Sequence, residues 1–307
     1  MSIKHKLRRD VNGVLLLNKP KGITSNDALQ IVKRIYNAKK AGHTGSLDKP
    51  ATGMLPLCLG EATKFTSYLL NADKHYIANC KLGVITTTAD STGEVIQTSD
   101  VPDLNEKILR SILSEFTGNI QQVPPMFSAL KRNGKRLYEL AYEGKVVERD
   151  PREVSIYSIE LLSLNDDEFS ISVHCSKGTY IRTLAEDIGN RIGCGGHILD
   201  LERTAVSYYS SKNMISMDDL YDCAETGEQE LDKLLLPVDS IINDIPEITL
   251  THSSTHYITN GQAVMVPHAP TEGLIRIYNE NHDFMGVGEI LDDGRVAPRR
   301  LVNLSTI

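Results

Sequence analysis

The sequence predicts an α+β chain, on three observations. Strand-like and helix-like apolar periods follow one another through residues 1–250. Two alternating runs, Val154 to Leu164 and Phe169 to Cys175, are separated only by the polar turn Asn165-Asp166-Asp167 and resemble a hairpin. From about Thr251 the pattern changes to short β-like runs broken by Gly and Pro (Gly261, Pro267, Pro270, Gly273, Gly286, Gly288, Gly294, Pro298), as in a small all-β barrel. At 307 residues the chain is longer than one core ordinarily serves, so two domains are expected, 1–250 and 251–307.

Taken in order, Gly13 to Leu17 reads as a short buried strand, closed by the turn signal Asn18-Lys19-Pro20-Lys21-Gly22. A helix follows, capped by Thr24 or Ser25, with Ala28, Leu29, Val32 and Ile35 inward and Lys33, Arg34, Lys39 and Lys40 largely outside. Glu61 to Leu70 reads as a helix with Phe65, Leu69 and Leu70 inward. Tyr76 to Val84 alternates as a strand through Tyr76, Ala78, Cys80 and Leu82, which sets Tyr76 near a strand start. Leu104 to Phe116 is an amphipathic helix. Gln122 to Pro151 is a long insertion with paired prolines and the basic run Lys131-Arg132-Asn133-Gly134-Lys135-Arg136, which suggests an ordering or clamping element. After the hairpin, Gly178 to Gly189 opens a helix directly from a strand, so Tyr180 and Arg182 on its first turn face the sheet edge. Met217 to Asp239 reads as helical near its ends and loop-like around Gly227, a bridge between the domains.

Composition sets the class. Hydrophobic residues are 40% and charged residues 24%, as in an ordinary globular protein, and the longest apolar runs, such as Val14-Leu15-Leu16-Leu17, are far too short to span a bilayer. The start, Met1 to Arg9, is basic but lacks the apolar region of a secretory signal, so a cytoplasmic location is expected. Five cysteines without a Cys-x-x-Cys pair argue against a disulfide framework and against a tetrahedral zinc site, and for reduced, mostly buried thiols. The net charge of -7 speaks against a polyanionic partner, but its distribution does not. Residues 1–49 hold eleven Lys or Arg against three Asp, and residues 215–245 hold nine acids against Lys233. Such asymmetry permits nucleic-acid binding on one face, and is equally compatible with two solvated charged surfaces.

The run Gly42-His43-Thr44-Gly45-Ser46-Leu47-Asp48-Lys49-Pro50-Ala51-Thr52-Gly53 sets a single carboxylate, Asp48, among four Gly or Pro residues. Such a backbone turns tightly and can approach a ligand closely. On its own the run is either a surface turn whose Asp caps the next element or a loop that presents Asp48 for chemistry. Three segments converge on the second reading: Asn18 to Gly22, the Asp48 loop, and Gly178-Thr179-Tyr180-Ile181-Arg182-Thr183-Leu184. With His75-Tyr76, Pro124-Pro125-Met126-Phe127-Ser128-Ala129-Leu130-Lys131, Gly196 to Thr204 and the C-terminal end, they resemble the bacterial tRNA pseudouridine 55 synthases, the TruB family, over nearly the whole chain.

The resemblance implies a central mixed, largely antiparallel sheet flanked by helices, with a C-terminal PUA-like RNA-binding barrel. It implies an isomerase that breaks the uridine N1–C1′ bond, rotates the base and rejoins it through C5, with no cofactor and no metal. The implied partner is tRNA through its T stem-loop, met by a monomer with no membrane and no required protein partner. By position Asp48 is the essential carboxylate, with Arg182 beside it, Tyr76 the stacking residue, Tyr180 across the base and able to contact or relay the C5 proton, and Leu201 apolar packing. His43, after Gly42, fills the gap left by a flipped base, Lys19 and Lys21 meet substrate or phosphates, and Lys131 lies in the clamping insertion. Alternatives stand beside these roles: for Arg182 an ion pair with Glu186 one helical turn on, for Tyr76 a core aromatic, for His43 a loop hydrogen-bonder, for Lys19 and Lys21 solvated turn lysines. The route at Asp48, attack at C1′, addition at C6 or proton removal from C2′, stays open. The chain departs from the family pattern at Lys49-Pro50, Thr87, Tyr142 and Glu202. Two other classes compete: an RNA-binding folding factor with an incidental pocket, and an aspartyl-phosphate hydrolase, which lacks a second nearby acid for magnesium.

Overall fold

The computed structural model describes residues 7–132 and 134–303; Lys4 and Lys6 of the basic start, Asn133 of the insertion and residues 304–307 lie outside the described residues. The first strand, β1 (Gly13–Lys19), runs two residues beyond the expected Leu17. Helix α1 (Ser25–Ile35) begins where the cap signal places it. Thr24 Oγ1 accepts from the Asp27 amide at 3.0 Å and the Asp27 carboxylate accepts from the Thr24 amide at 3.1 Å, a reciprocal cap. Ala28, Leu29 and Val32 are buried, and the short strand β2 (Ala41–His43) leads through the Asp48 loop to β3 (Thr52–Leu59).

The helix expected from Glu61 to Leu70 is divided into a 3-10 segment, Gly60–Phe65, and α2 (Thr66–Asn71). Tighter winding in the first part shifts the phase of the second, so Phe65 and Leu69 are buried while Leu70 turns out to 44% exposure. The strand β4 (Lys74–Leu82) buries Ala78, Cys80 and Leu82 on one face. A small hairpin, β5 (Val84–Thr86) and β6 (Val95–Thr98), and the Asn105-capped α3 (Glu106–Glu115) lead to β7 (Gly118–Gln122). The insertion then carries β8 (Lys131–Arg132), β9 (Lys135–Arg136) and α4 (Leu137–Tyr142). The expected hairpin is β10 (Arg152–Asn165) and β11 (Glu168–Cys175), followed by α5 (Ile181–Ile192), β12 (Gly196–Val206) and β13 (Tyr209–Ser210).

These strands form one mixed sheet in the order β1-β3-β12-β4-β11-β10-β7, with β2 added to β3 and β13 to β12. Every pairing is antiparallel except β3 with β12, which meet in parallel through Thr52↔Glu202 and Gly53↔Arg203. That junction requires glycine. Gly53 has φ of +95°, and a Cβ there would stand 2.3 Å from the Arg203 carbonyl oxygen. α3 and α5 cover one face of the sheet, where Leu109, Leu113, Leu184 and Ile188 pack against Ala78, Ile156 and Ile171. Each such side chain withdrawn from water contributes roughly 1.5–3 kcal/mol.

The acidic stretch forms α6 (Met217–Thr226) and α7 (Glu228–Lys233), broken at Gly227 as expected. Its two helices lie against the N-terminal helix. Leu220 and Leu231 pack with Ala28, Leu29 and Val32 of α1, and Arg9 pairs with Glu228 at 3.2 Å and with Asp232. Part of the acidic run therefore lies against Arg9 of the basic one. The contact with the C-terminal unit is made at the end of the stretch, by the 3-10 segment Val238–Ile242: Val238, Ile241 and Ile242 pack with Tyr278, Phe284 and Val287, and Asp239 accepts from the Tyr278 hydroxyl at 2.6 Å.

That unit begins with β14 (Glu247–Thr249), ahead of Thr251, and continues through α8 (His252–Thr259), β15 (Leu274–Tyr278), β16 (Phe284–Ile290) and β17 (Val296–Leu301). The sheet order is β14-β15-β16-β17, and among the described residues no pairing closes it into a barrel. α8 lies where the sequence predicts only short β-like runs; its residues are largely polar, with Ile258 alone buried. Thr251 caps it, and it serves as the crossover that the parallel pair β14/β15 requires. No helix among the described residues is long and apolar enough to cross a membrane.

Candidate active site

The Asp48 loop is held from below by side chains that precede it in sequence. Ser25 Oγ donates to the Leu47 carbonyl at 3.1 Å and accepts from the Leu47 amide at 2.7 Å, and the Gly22 amide donates to the Lys49 carbonyl at 2.9 Å. Lys19 is completely buried, and its ammonium donates to the carbonyls of Pro20 and Ile23 at 2.9 Å and of Lys49 at 3.5 Å. Burial lowers its pKa to about 8, against the pull of the nearby Asp48 charge. The expectation that this lysine meets phosphate is therefore corrected: it braces the loop. Arg203, 1% exposed, braces the other side by donating to Met54 O at 2.7 Å and Gly45 O at 3.1 Å. With Leu47 anchored inward, Asp48 projects outward and its side chain is 45% exposed.

Arg182, only 5% exposed, meets that carboxylate with Nε 2.8 Å from Oδ2. Its two terminal nitrogens donate to the carbonyls of Thr88 at 2.9 Å and Phe127 at 2.8 Å, so the guanidinium is fixed on three sides. Asp48, not Glu186, is its ion-pair partner. A second acid, Asp90, stands 4.0 Å from the same Nε, with Oδ1 accepting from Thr88 Oγ1, the Thr92 amide and Thr92 Oγ1. Asp48 Oδ1 receives no hydrogen bond from any described residue. One oxygen is thus pinned by a cation and the other is open to the cleft, as a nucleophile or base requires.

Tyr76 comes from the start of β4, where it pairs in register with Arg203 of β12 and Val173 of β11. It is half-buried, and burial pushes its hydroxyl pKa up, with the Arg203 cation pulling the other way. Tyr180 is the residue immediately before α5, and burial likewise raises its pKa, so its phenol is protonated at neutral pH. Asp48, Tyr76, Tyr180, Arg182, Leu201 and Arg203 line one cleft of about 1060 Å³. That volume lies at the upper end of small-molecule sites and suits a nucleotide still attached to its chain.

The remaining expected residues are not in its lining. His43 ends β2 opposite Leu57, with Nδ1 buried and unpartnered, and burial lowers its pKa. Gly42 pairs with Cys58, and a Cβ there would meet only Thr66 Cγ2 at 3.8 Å, an ordinary contact. Lys21 is exposed in an ion pair with Asp200, and Lys131 is exposed on β8 opposite Arg136. Sequence reasoning passed over Arg203, Asp90 and Gln122. Gln122 carried no motif signal, whereas Asp90 closes the polar run Thr86-Thr87-Thr88-Ala89-Asp90 between two strand patterns, a usable hint. Among the described residues no group of three or more His, Cys, Asp or Glu could hold a metal ion.

Three family models together span most of the chain. Residues 33–181 match the TruB family pseudouridylate synthase N-terminal domain, residues 182–243 the tRNA pseudouridylate synthase B C-terminal domain, and residues 246–302 the pseudouridine synthase II TruB C-terminal model. The chain is 53% identical over 304 residues to a tRNA pseudouridine synthase B of Tolumonas auensis, covering 96% of this chain and 94% of that one. It is 52% identical over 294 residues to a protein of the same name from Nitrosococcus oceani, covering 96% of each. Among solved structures, a Cbf5–Nop10–Gar1 complex matches with a TM-score of 0.74 and 26% identity over 95% of this chain and 85% of that one.

Proposed function

The chain belongs to the TruB family of pseudouridine synthases, isomerases that act on tRNA, and on that premise we propose that it converts uridine 55 of the T loop to pseudouridine through Asp48. The observation that carries this reading is the Asp48–Arg182 pair, open on Oδ1 and faced by two tyrosines in one cleft.

A target atom inside a stacked loop has to be extruded before chemistry, and Tyr76 offers the aromatic face on which the flipped base stacks. Leu201, on the same sheet face as Tyr76 and opposite Ala78 in the register, adds apolar packing beside it. The N1–C1′ bond breaks, the base turns, C5 bonds to C1′, the C5 proton leaves and N1 gains one. Atoms and electrons balance without an external reactant. Asp48 Oδ1 acts on the sugar or the base edge, and Arg182, bonded to Oδ2, aims the carboxylate whichever of C1′, C6 or C2′ it addresses. The Tyr180 hydroxyl, kept protonated by burial, relays the departing C5 proton, taking it up as its own passes to solvent water in the cleft.

In this reading the chain up to the C-terminal unit forms the catalytic body, residues 122–151 clamp the RNA through Lys131 and its basic neighbours, and the unit that begins with β14 steadies the acceptor end. The protein works as a cytoplasmic monomer without a protein partner. The test is chemical mapping of pseudouridine in an unmodified tRNA transcript incubated with the protein alone. Product at position 55 of the T loop is expected, and absence of product, or product confined to another position, overturns the proposal.

A further inference from the structure

Tyr180 is the N-cap residue of α5 and Arg182 stands on its first turn, yet no side chain caps that helix from within its own segment. The segment is held instead from β7. Gln122, 2% exposed at the last position of β7, accepts from the Tyr180 amide through Oε1 at 2.7 Å and donates from Nε2 to the Tyr180 carbonyl at 3.1 Å. The orientation of the side-chain amide is fixed by chemistry, since the Tyr180 N–H can only donate and its C=O can only accept. The same carbonyl accepts from the Leu184 amide at 3.0 Å, the bond that opens the helix. One buried amide therefore fixes both backbone polar groups of Tyr180, the residue from which the ring projects, two residues ahead of Arg182. No other described side chain bonds that backbone.

We propose that Gln122 is the positioning residue for pseudouridine formation, setting where the Tyr180 hydroxyl and the Arg182 guanidinium stand relative to Asp48. The inference rests on the reading that Asp48, Tyr180 and Arg182 carry the reaction. Gln122 touches neither the cleft nor the substrate and acts through the backbone of Tyr180. Its loss frees a turn whose displacement by about 1 Å is enough to cost on the order of 100-fold in rate.

The two-pronged geometry makes a specific demand on substitutes. Gln122→Ala loses both bonds. Gln122→Glu keeps the acceptor, but an ionised carboxylate sets an oxygen against the Tyr180 carbonyl; a protonated carboxyl restores the donor and reproduces the pair. The experiment measures single-turnover pseudouridine formation, tRNA binding and melting temperature for the wild type and both variants from pH 5.5 to 8, with amide hydrogen exchange of the segment containing Tyr180. For Gln122→Ala a rate lower by about 100-fold is expected, with tRNA affinity within about threefold of wild type and faster exchange at Tyr180. For Gln122→Glu the rate relative to wild type should climb as pH falls and the carboxyl takes up its proton. A wild-type rate in Gln122→Ala, unchanged Tyr180 protection, or a Gln122→Glu to wild-type ratio that is flat in pH overturns the assignment. The exchange readout needs no catalysis, so a wild-type protein without activity sinks the proposed function, while the hold of Gln122 on the Tyr180 backbone is still decided by exchange.

Discussion

Replacing Arg182 by lysine keeps the charge beside Asp48 and removes the geometry. Arg182 makes three directed contacts, to Asp48 Oδ2 at 2.8 Å, Thr88 O at 2.9 Å and Phe127 O at 2.8 Å, from a side chain that is 5% exposed. A single ammonium on a flexible stem cannot meet all three. If it keeps Asp48, two part-buried carbonyls lose their donor, and at about 1–3 kcal/mol for each unmet partner the fold loses roughly 2–6 kcal/mol. If it keeps the carbonyls, Asp48 loses its orienter. A rate lower by about 100-fold, equivalent to about 2.7 kcal/mol in the barrier, is expected for Arg182→Lys. Urea unfolding followed through its midpoint and slope reads the first quantity, and single-turnover conversion of a tRNA transcript reads the second. An Arg182→Lys protein within about threefold of the wild-type rate would refute the claim that the planar fork, rather than positive charge alone, sets the carboxylate.

Gly53→Ala places a Cβ 2.3 Å from the Arg203 carbonyl at a φ of +95°, so a loss of about 3 kcal/mol or more is expected by denaturant unfolding, and a change under about 1 kcal/mol would contradict the close β3/β12 contact. Lys19 has its folded pKa lowered to about 8 from 10.5, so between those values the unfolded chain binds the extra proton and stability rises with pH. The difference in unfolding free energy between wild type and Lys19→Met should therefore shift in favour of wild type from pH 8 to pH 10; no change across that window argues for an unburied ammonium. Tyr180→Phe keeps the ring and removes the hydroxyl, so tRNA affinity should hold while the rate falls by about 100-fold, and an undiminished rate would take the hydroxyl off the proton path. Neutralising Lys131, Arg132 and Arg136 together should reduce the slope of log affinity against log salt by about 2, and an unchanged slope would separate this hairpin from RNA.

What the sequence disclosed and what it hid divide along physical lines. Local signals held: the Thr24 cap, the Asn165-Asp166-Asp167 turn and the Gly227 break all rest on contacts within a few residues. Helix α8 failed because its apolar face is a single residue, Ile258, and its role as a crossover depends on a strand pairing that spacing does not reveal. The cleft was legible where a motif names the residue, as with Asp48, Tyr76, Tyr180, Arg182 and Leu201. It was illegible where function depends on what a buried polar group finds across the fold. Lys19 reads as a turn lysine, yet its ammonium is consumed by three carbonyls. Gln122 and Arg203 sit in strand patterns, and only tertiary pairing shows that one holds Tyr180 and the other the base of the Asp48 loop. The same holds for charge: a run of acids was visible, but its pairing with Arg9 was not.

The central claim is that the open oxygen of Asp48 performs the isomerisation. Its most direct measurement compares wild type with Asp48→Asn in single-turnover conversion of a saturating tRNA transcript, with binding followed in the same samples. The account expects the variant to bind within a few-fold of wild type and to form no pseudouridine at position 55. Conversion by Asp48→Asn at the wild-type rate would contradict it.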